Sequence, residues 1–255
     1  MTMTRPVAGE IIAVTTTTFT AQSGALNEAP AFGSLLRVAN PRRKAGGPGI
    51  AAYYALCYGS QTGSIEPGRH AVAWGRFEDD EEDIYQRQPQ LAQVLRTTFD
   101  ALLVGYETET STPPTPAWDG APGDAPDRYR ANGYAAGDTT IAVLNGAVMA
   151  AVGETVAPAP VQRVPATPPR LHALVCQATP AETTRFNQNL TYLRFVLRAN
   201  LPLADDFIAA AIRHAYEAGG YDETFLLDAA RTVARLLGAE HERVMNILEL
   251  LDDQG

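Results

Sequence analysis

The densest positive charge in the chain is Arg42-Arg43-Lys44, inside the Pro- and Gly-rich run at residues 41–49. Adjacent cations suit contact with phosphate or with an acidic partner surface. Three of them release few counterions, so alone they grip nucleic acid weakly. A solvated hairpin loop is the plainer reading of the same residues. Arg42, Arg43 and Lys44 are nonetheless the candidate partner-binding residues that this sequence offers. The densest negative charge follows at Glu78, Asp79, Asp80, Glu81, Glu82 and Asp83. Carboxylates at the start of a helix offset its dipole and accept from its free N–H groups. A divalent-cation site is the weaker reading, because consecutive carboxylates on a helix splay around the axis and the glycine spacing of a calcium loop is missing.

Other reactive side chains are scattered. Cys57 and Cys176 each sit in an apolar run, and His70, His172, His214 and His241 are spread along the chain. This spacing does not build a zinc site. His172, in an apparently alternating segment, reads as a packed or surface histidine rather than a base. Asp205-Asp206 at a helix start reads as capping. The sequence holds no Gly-x4-Gly-Lys-Ser/Thr phosphate loop and no Gly-x-Ser-x-Gly elbow. The turn Gly46-Gly47-Pro48-Gly49 lacks the strand-to-helix setting of a dinucleotide fingerprint. The expectation is therefore a protein that is not an enzyme and carries neither cofactor nor metal.

The chain has 255 residues and a formal net charge of −9. That balance disfavours direct nucleic-acid binding, which needs Lys and Arg to neutralise phosphate. The N-terminal residues lack the apolar core of a signal peptide. No apolar run approaches the roughly 18 residues of a membrane span. Two reduced core thiols in a cytoplasmic protein are the expectation.

Strands must position most of these residues. Residues 7–20 alternate and are rich in Val, Ile, Thr and Phe. Gly33 opens residues 34–39, with Leu36 and Val38 on one face and Leu35 and Arg37 on the other. Residues 49–58 are apolar and aromatic, fit for a buried central strand. Further strands are expected at 71–74, 98–107 and 170–176, and a helix, interrupted near Pro89, from the acidic run to Arg96. Residues 111–168 read as a Pro- and Gly-rich insertion, with 111–135 and 157–168 mobile. Inside it, Asn145-Gly146 between two apolar runs signals a hairpin. Helices follow. Thr179-Pro180-Ala181-Glu182 is a capping box with Pro at the first helical position. Phe186, Leu190, Leu193 and Leu197 make one apolar stripe. Three more helices run from about Leu203, from Asp222 and across Val244 to Leu251.

The expected fold is α+β. A small N-terminal β-barrel of six to eight strands covers 1–177, with the insertion at about 111–168. A C-terminal helical bundle covers 178–255.

The barrel segment resembles the HerA–ATP synthase barrel. The resemblance rests on Gly9-Glu10-Ile11-Ile12, Phe19-Thr20-Ala21, Gly33-Ser34-Leu35-Leu36-Arg37-Val38 and Gly63-Ser64-Ile65-Glu66-Pro67-Gly68-Arg69. It continues through Pro89-Gln90-Leu91, Leu102-Leu103-Val104-Gly105-Tyr106 and Pro168-Pro169-Arg170-Leu171-His172-Ala173. In that family the barrel forms a collar on hexameric ATPases and can contact a nuclease that resects DNA ends. Where the ATPase domain would follow, this chain has a helical region, so ATP hydrolysis is not carried over. The resemblance implies a non-enzymatic adaptor or assembly subunit whose partner is a HerA-like ATPase or a nuclease, with a homo-oligomer as a further possibility. The alternative is a small-molecule-binding regulatory protein with a pocket between barrel and bundle, lined by Tyr53, Tyr54 and Trp74.

Overall fold

The computed structural model describes residues 6–40, 49–66, 81–108, 143–144, 147–148, 159–199 and 201–252. Within the main unit, residues 1–109 and 159–255, six strands close into an antiparallel barrel. They are β1 (Val7–Val14), β2 (Thr18–Ser23), β3 (Leu35–Ala39), β4 (Ile50–Ser64), β5 (Leu95–Thr108) and a last strand, Leu174–Gln177. Around the barrel β1 is followed by β2, β5, β4, β3 and the last strand, which pairs back onto β1. A second unit, Thr110–Pro158, holds β6 (Val143–Leu144) and β7 (Ala147–Val148). Val143 pairs with Val148 and Leu144 with Ala147, on either side of Asn145-Gly146 in sequence. The last barrel strand is therefore β8.

Two short helices, α1 (Glu81–Arg87) and α2 (Leu91–Val94), precede β5. Five follow β8: α3 (Pro180–Phe186), α4 (Leu193–Arg198), α5 (Ala204–Gly219), α6 (Glu223–Leu237) and α7 (His241–Asp252). The α+β class with a barrel is as expected, at the lower end of the expected strand number.

Alternation sets the core. Leu36, Val38, Tyr53, Ala55, Cys57, Phe99, Ala101, Leu103 and Val175 fill the barrel interior together with Ile11, Phe19 and Ala21. Their strand neighbours Leu35, Tyr54, Leu56, Leu102 and Val104 face outward, against Phe186, Leu193, Phe207, Ile208 and Ile212 of the helices. So β3, β4 and β5 are buried on both faces. That is why they read as continuous apolar runs. Burial of the Cys57 thiol raises its pKa to about 11, and no disulfide joins Cys57 to Cys176.

Several local expectations change. The segment 170–176 does not run as one strand. Arg170 to Ala173 form a turn, with the Ala173 N–H donating to the Arg170 carbonyl at 3.2 Å and His172 in the left-handed region at φ 65°. The strand begins only at Leu174. The helix expected up to Arg96 stops at Val94, and Leu95 already pairs with Ser64.

The apolar stripe from Phe186 to Leu197 is split between α3 and α4. Its break is filled by Gln162, which donates from Nε2 to the carbonyls of Phe186 and Asn189, both at 2.6 Å, and accepts from the Tyr192 N–H at 2.9 Å. One amide thereby satisfies backbone groups that a helix end leaves open. Val161 beside it exchanges two hydrogen bonds with Tyr106 of β5. Residues 159–168, expected within a mobile insertion, belong to the main unit instead. The expected strand at 71–74 and the mobile run at 111–135 lie outside the described residues.

Gly33, just before β3, packs tightly against α5. Its φ is +83°, and a Cβ there would stand 2.6 Å from the Ala210 carbonyl carbon and 2.7 Å from the Ala211 nitrogen in α5. An L-side chain would be strained twice, by its backbone angle and by helix backbone that cannot rotate away. Gly33→Ala is therefore predicted to lower stability by about 2–3 kcal/mol. Gly24→Ala, whose Cβ would meet nothing within 4 Å, should stay within about 0.5 kcal/mol of wild type. Equal midpoints for the two variants in urea denaturation would show that Gly33 is not a packing point.

Candidate functional site

The expected contact residues Arg42, Arg43 and Lys44 lie outside the described residues. Their anchors are described. Asn40 follows the end of β3 and Gly49 precedes β4, so both belong to one end of the barrel. Asn40 is held there by donating from Nδ2 to the Ile50 carbonyl at 3.0 Å.

An open cleft of about 500 Å³ lies at this end. Its polar lining comes from Asn40, Tyr53, Arg170 and His172, and Leu171 and Leu174 supply apolar wall. The turn carrying Arg170 and His172 is pinned to β1. The His172 N–H donates to the Ile11 carbonyl at 2.9 Å, and the Ile11 N–H donates to the Ala173 carbonyl at 3.0 Å. Glu10 lies 2.6 Å from His172 Nδ1 and so fixes the imidazole. The Tyr53 ring is buried in the barrel, with its hydroxyl 3.5 Å from the Pro168 carbonyl. Burial raises the Tyr53 pKa, and the nearby Arg170 charge pulls it part of the way back.

A second polar cluster lies between barrel and helices. Glu107 of β5 is paired with Arg37 of β3 (Oε2 to Nη2, 3.5 Å) and with Arg185 of α3. The Tyr54 hydroxyl donates to Glu107 Oε1 at 2.9 Å and accepts from Arg185 Nη2 at 3.2 Å. Arg37 Nε also lies 3.1 Å from Glu182 Oε1. Glu182 is at the same time the third helical residue and closes the capping box, its other oxygen accepting from the Thr179 N–H at 2.9 Å.

A bulge delivers Glu107 to this cluster. Tyr54 pairs with Gly105 and Ala55 with Leu103, so Val104 is an extra residue on β5 and the parity of its faces switches there. Two cations and two carboxylates leave no net charge, as a half-buried cluster requires. Tyr54 has no exposed surface. Burial raises its pKa first and the Glu182 charge second, with Arg185 and Arg37 opposing.

This packing answers the expectation of a pocket lined by Tyr53, Tyr54 and Trp74 between barrel and helices. At Tyr54 the junction is filled, with the Phe186 ring centroid 4.9 Å away. Tyr53 faces the barrel interior instead, and Trp74 lies outside the described residues. Among the described residues, no group of three or more His, Cys, Asp and Glu side chains could hold a metal ion. No helix among them is long and apolar enough to cross a membrane.

Sequence reasoning placed Arg37 with Leu35 on the face opposite Leu36 and Val38. It did not find the partners, which come from three other elements. Arg170 and His172 were missed as cleft residues because their segment reads as a strand; the preceding Pro168-Pro169 was the one local sign of a turn.

No protein family matches the chain, and no curated protein does either. The resemblance to the HerA–ATP synthase barrel rests on the motifs quoted above.

The cluster is predicted to act as a unit. Glu107→Gln leaves two guanidinium groups short of charge, which should cost about 2–3 kcal/mol, since both arginines keep some contact with water. Tyr54→Phe should cost about 1–2 kcal/mol. The double variant should lose at least about 0.5 kcal/mol less than the sum, because the tyrosine donates to the carboxylate being removed. Additive losses in a denaturation cycle would show that the two groups are independent.

Proposed function

We propose that this protein is a non-enzymatic adaptor or assembly subunit that works with a HerA-like ATPase in DNA processing. The observation that carries the reading is the barrel itself. Its interior is filled by side chains, so it offers surfaces rather than an internal chamber. One side is spent on the helices. Val7, Leu171 and Leu174 stay about half exposed on the outside of β1 and β8 and on the turn before β8. Apolar side chains left open on the outer surface fit a docking role.

In this reading the barrel is of the HerA–ATP synthase type, and the helices after β8 form a bundle that braces it. Arg42, Arg43 and Lys44 stand on the loop joining β3 to β4 and steer an acidic partner. The protein works in the cytoplasm, and copies of the barrel associate around the motor.

Replacing Arg42, Arg43 and Lys44 together by Ser tests the steering. Charges at an interface rim act mainly on encounter. The triple variant should associate several-fold more slowly with the ATPase purified from the same cell. Its association rate should lose most of its salt dependence, while dissociation changes little. Thermal stability should hold, because exposed charges contribute little to folding. An association rate and salt dependence equal to wild type would exclude the loop. Absence of any complex with the ATPase or a nuclease would exclude the reading.

A further inference from the structure

We propose that the cleft at the Asn40–His172 end of the barrel binds a small monocarboxylic acid with an apolar body. This inference uses none of the loop cations and shares only Leu171 and Leu174 with the adaptor reading.

The first observation is charge. The chain is acidic, at −9, yet among the described residues no carboxylate lines this cleft, whereas Arg170 and His172 do. Other clefts among the described residues hold acids: Glu28 in one, Asp222 and Asp228 in another, Glu249 and Asp252 in a third. A recess that carries a guanidinium on an acidic protein favours anions.

The second observation is unspent donor capacity. The Tyr53 ring is almost wholly buried, at 4% exposure. Among the described residues its hydroxyl reaches only the Pro168 carbonyl, at 3.5 Å, the outer limit of a hydrogen bond. An anion in the cleft would give that hydroxyl a better acceptor. Arg170 lines the same cleft. A planar, bidentate guanidinium suits a carboxylate.

The third observation is that the turn is built, not slack. His172 adopts φ 65°, a left-handed conformation that costs about 1–3 kcal/mol for a non-glycine residue. Backbone bonds to Ile11 and the contact with Glu10 hold it there.

The charge count selects the ligand class. Arg170 is the one guanidinium among the described lining residues. That matches a monoanion better than a phosphate dianion. Leu171 and Leu174 are about half exposed and offer apolar contact for the rest of the molecule. A volume of about 500 Å³ lies in the ordinary range for small-ligand clefts.

The test is calorimetric titration of the full chain with phenylacetate and hexanoate. Phenylacetamide serves as the uncharged control, acetate as the control without an apolar body, and inorganic phosphate as the dianion. Saturable binding is expected for at least one of the two acids, with each control about tenfold weaker or more. Arg170→Gln should weaken the acid about tenfold, as should Tyr53→Phe to a lesser degree. The thermal midpoint of unliganded Arg170→Gln should match wild type, because that side chain is exposed. Glu28→Gln, in a different cleft, should bind as wild type does. Three results would overturn the proposal: no saturation by either acid up to about 10 mM, equal affinity for phenylacetamide, or wild-type affinity in Arg170→Gln.

Discussion

Burial of β3, β4 and β5 on both faces is the constraint from which the rest of the architecture follows. A small barrel needs only its inner face apolar. Here the outer face carries Leu35, Tyr54, Leu56, Leu102 and Val104, which pack against the helices. Those side chains would expose a large apolar patch on an isolated barrel. The helices have the same dependence. Phe207, Ile208 and Ile212 of α5 are fully buried in the cluster that includes these strand residues. Barrel and helices are thus two halves of one core. Burying a large apolar side chain contributes roughly 1.5–3 kcal/mol, so this shared layer outweighs any single polar contact across it.

Polar groups fix where the two halves meet. Apolar layers alone could slide, whereas a carboxylate that must satisfy two arginines and a tyrosine has one position. Glu107 reaches it only because Val104 bulges out of the β5 ladder. Glu182 serves the α3 capping box and also pairs with Arg37, so the start of the helix is registered against β3. Gly33 admits the α5 backbone, and Gln162 fills the gap between α3 and α4. Each device acts at a different element, and all of them point the helices at the same side of the barrel.

What the sequence reveals follows from range. The Leu35/Leu36 alternation, the apolar run of β4 and the capping box at Thr179 are local patterns, and all three are present. The break between α3 and α4 is not local. The stripe Phe186–Leu190–Leu193–Leu197 keeps helical spacing across it, and the side chain that allows the break comes from Gln162. Glu107 was hidden by a parity switch that no alternation rule anticipates. Arg170 and His172 were hidden because a left-handed histidine lacks the glycine that usually marks such a turn. The charged loop was the most conspicuous feature of the sequence. The cleft beside its anchors was not visible there at all, since it is assembled from β3, β4 and the turn before β8.

Native-state hydrogen exchange tests the shared core most directly. If β3–β5 and α5 are one cooperative unit, amides at residues 53–57, 101–104 and 207–212 should open with the same free energy. They should also respond to low denaturant with the same slope. Earlier exchange of the α7 amides leaves the claim intact. Exchange of the α5 amides at a distinctly lower free energy, with β4 and β5 still protected, would contradict it, because the barrel would then stand without the layer that covers its outer face.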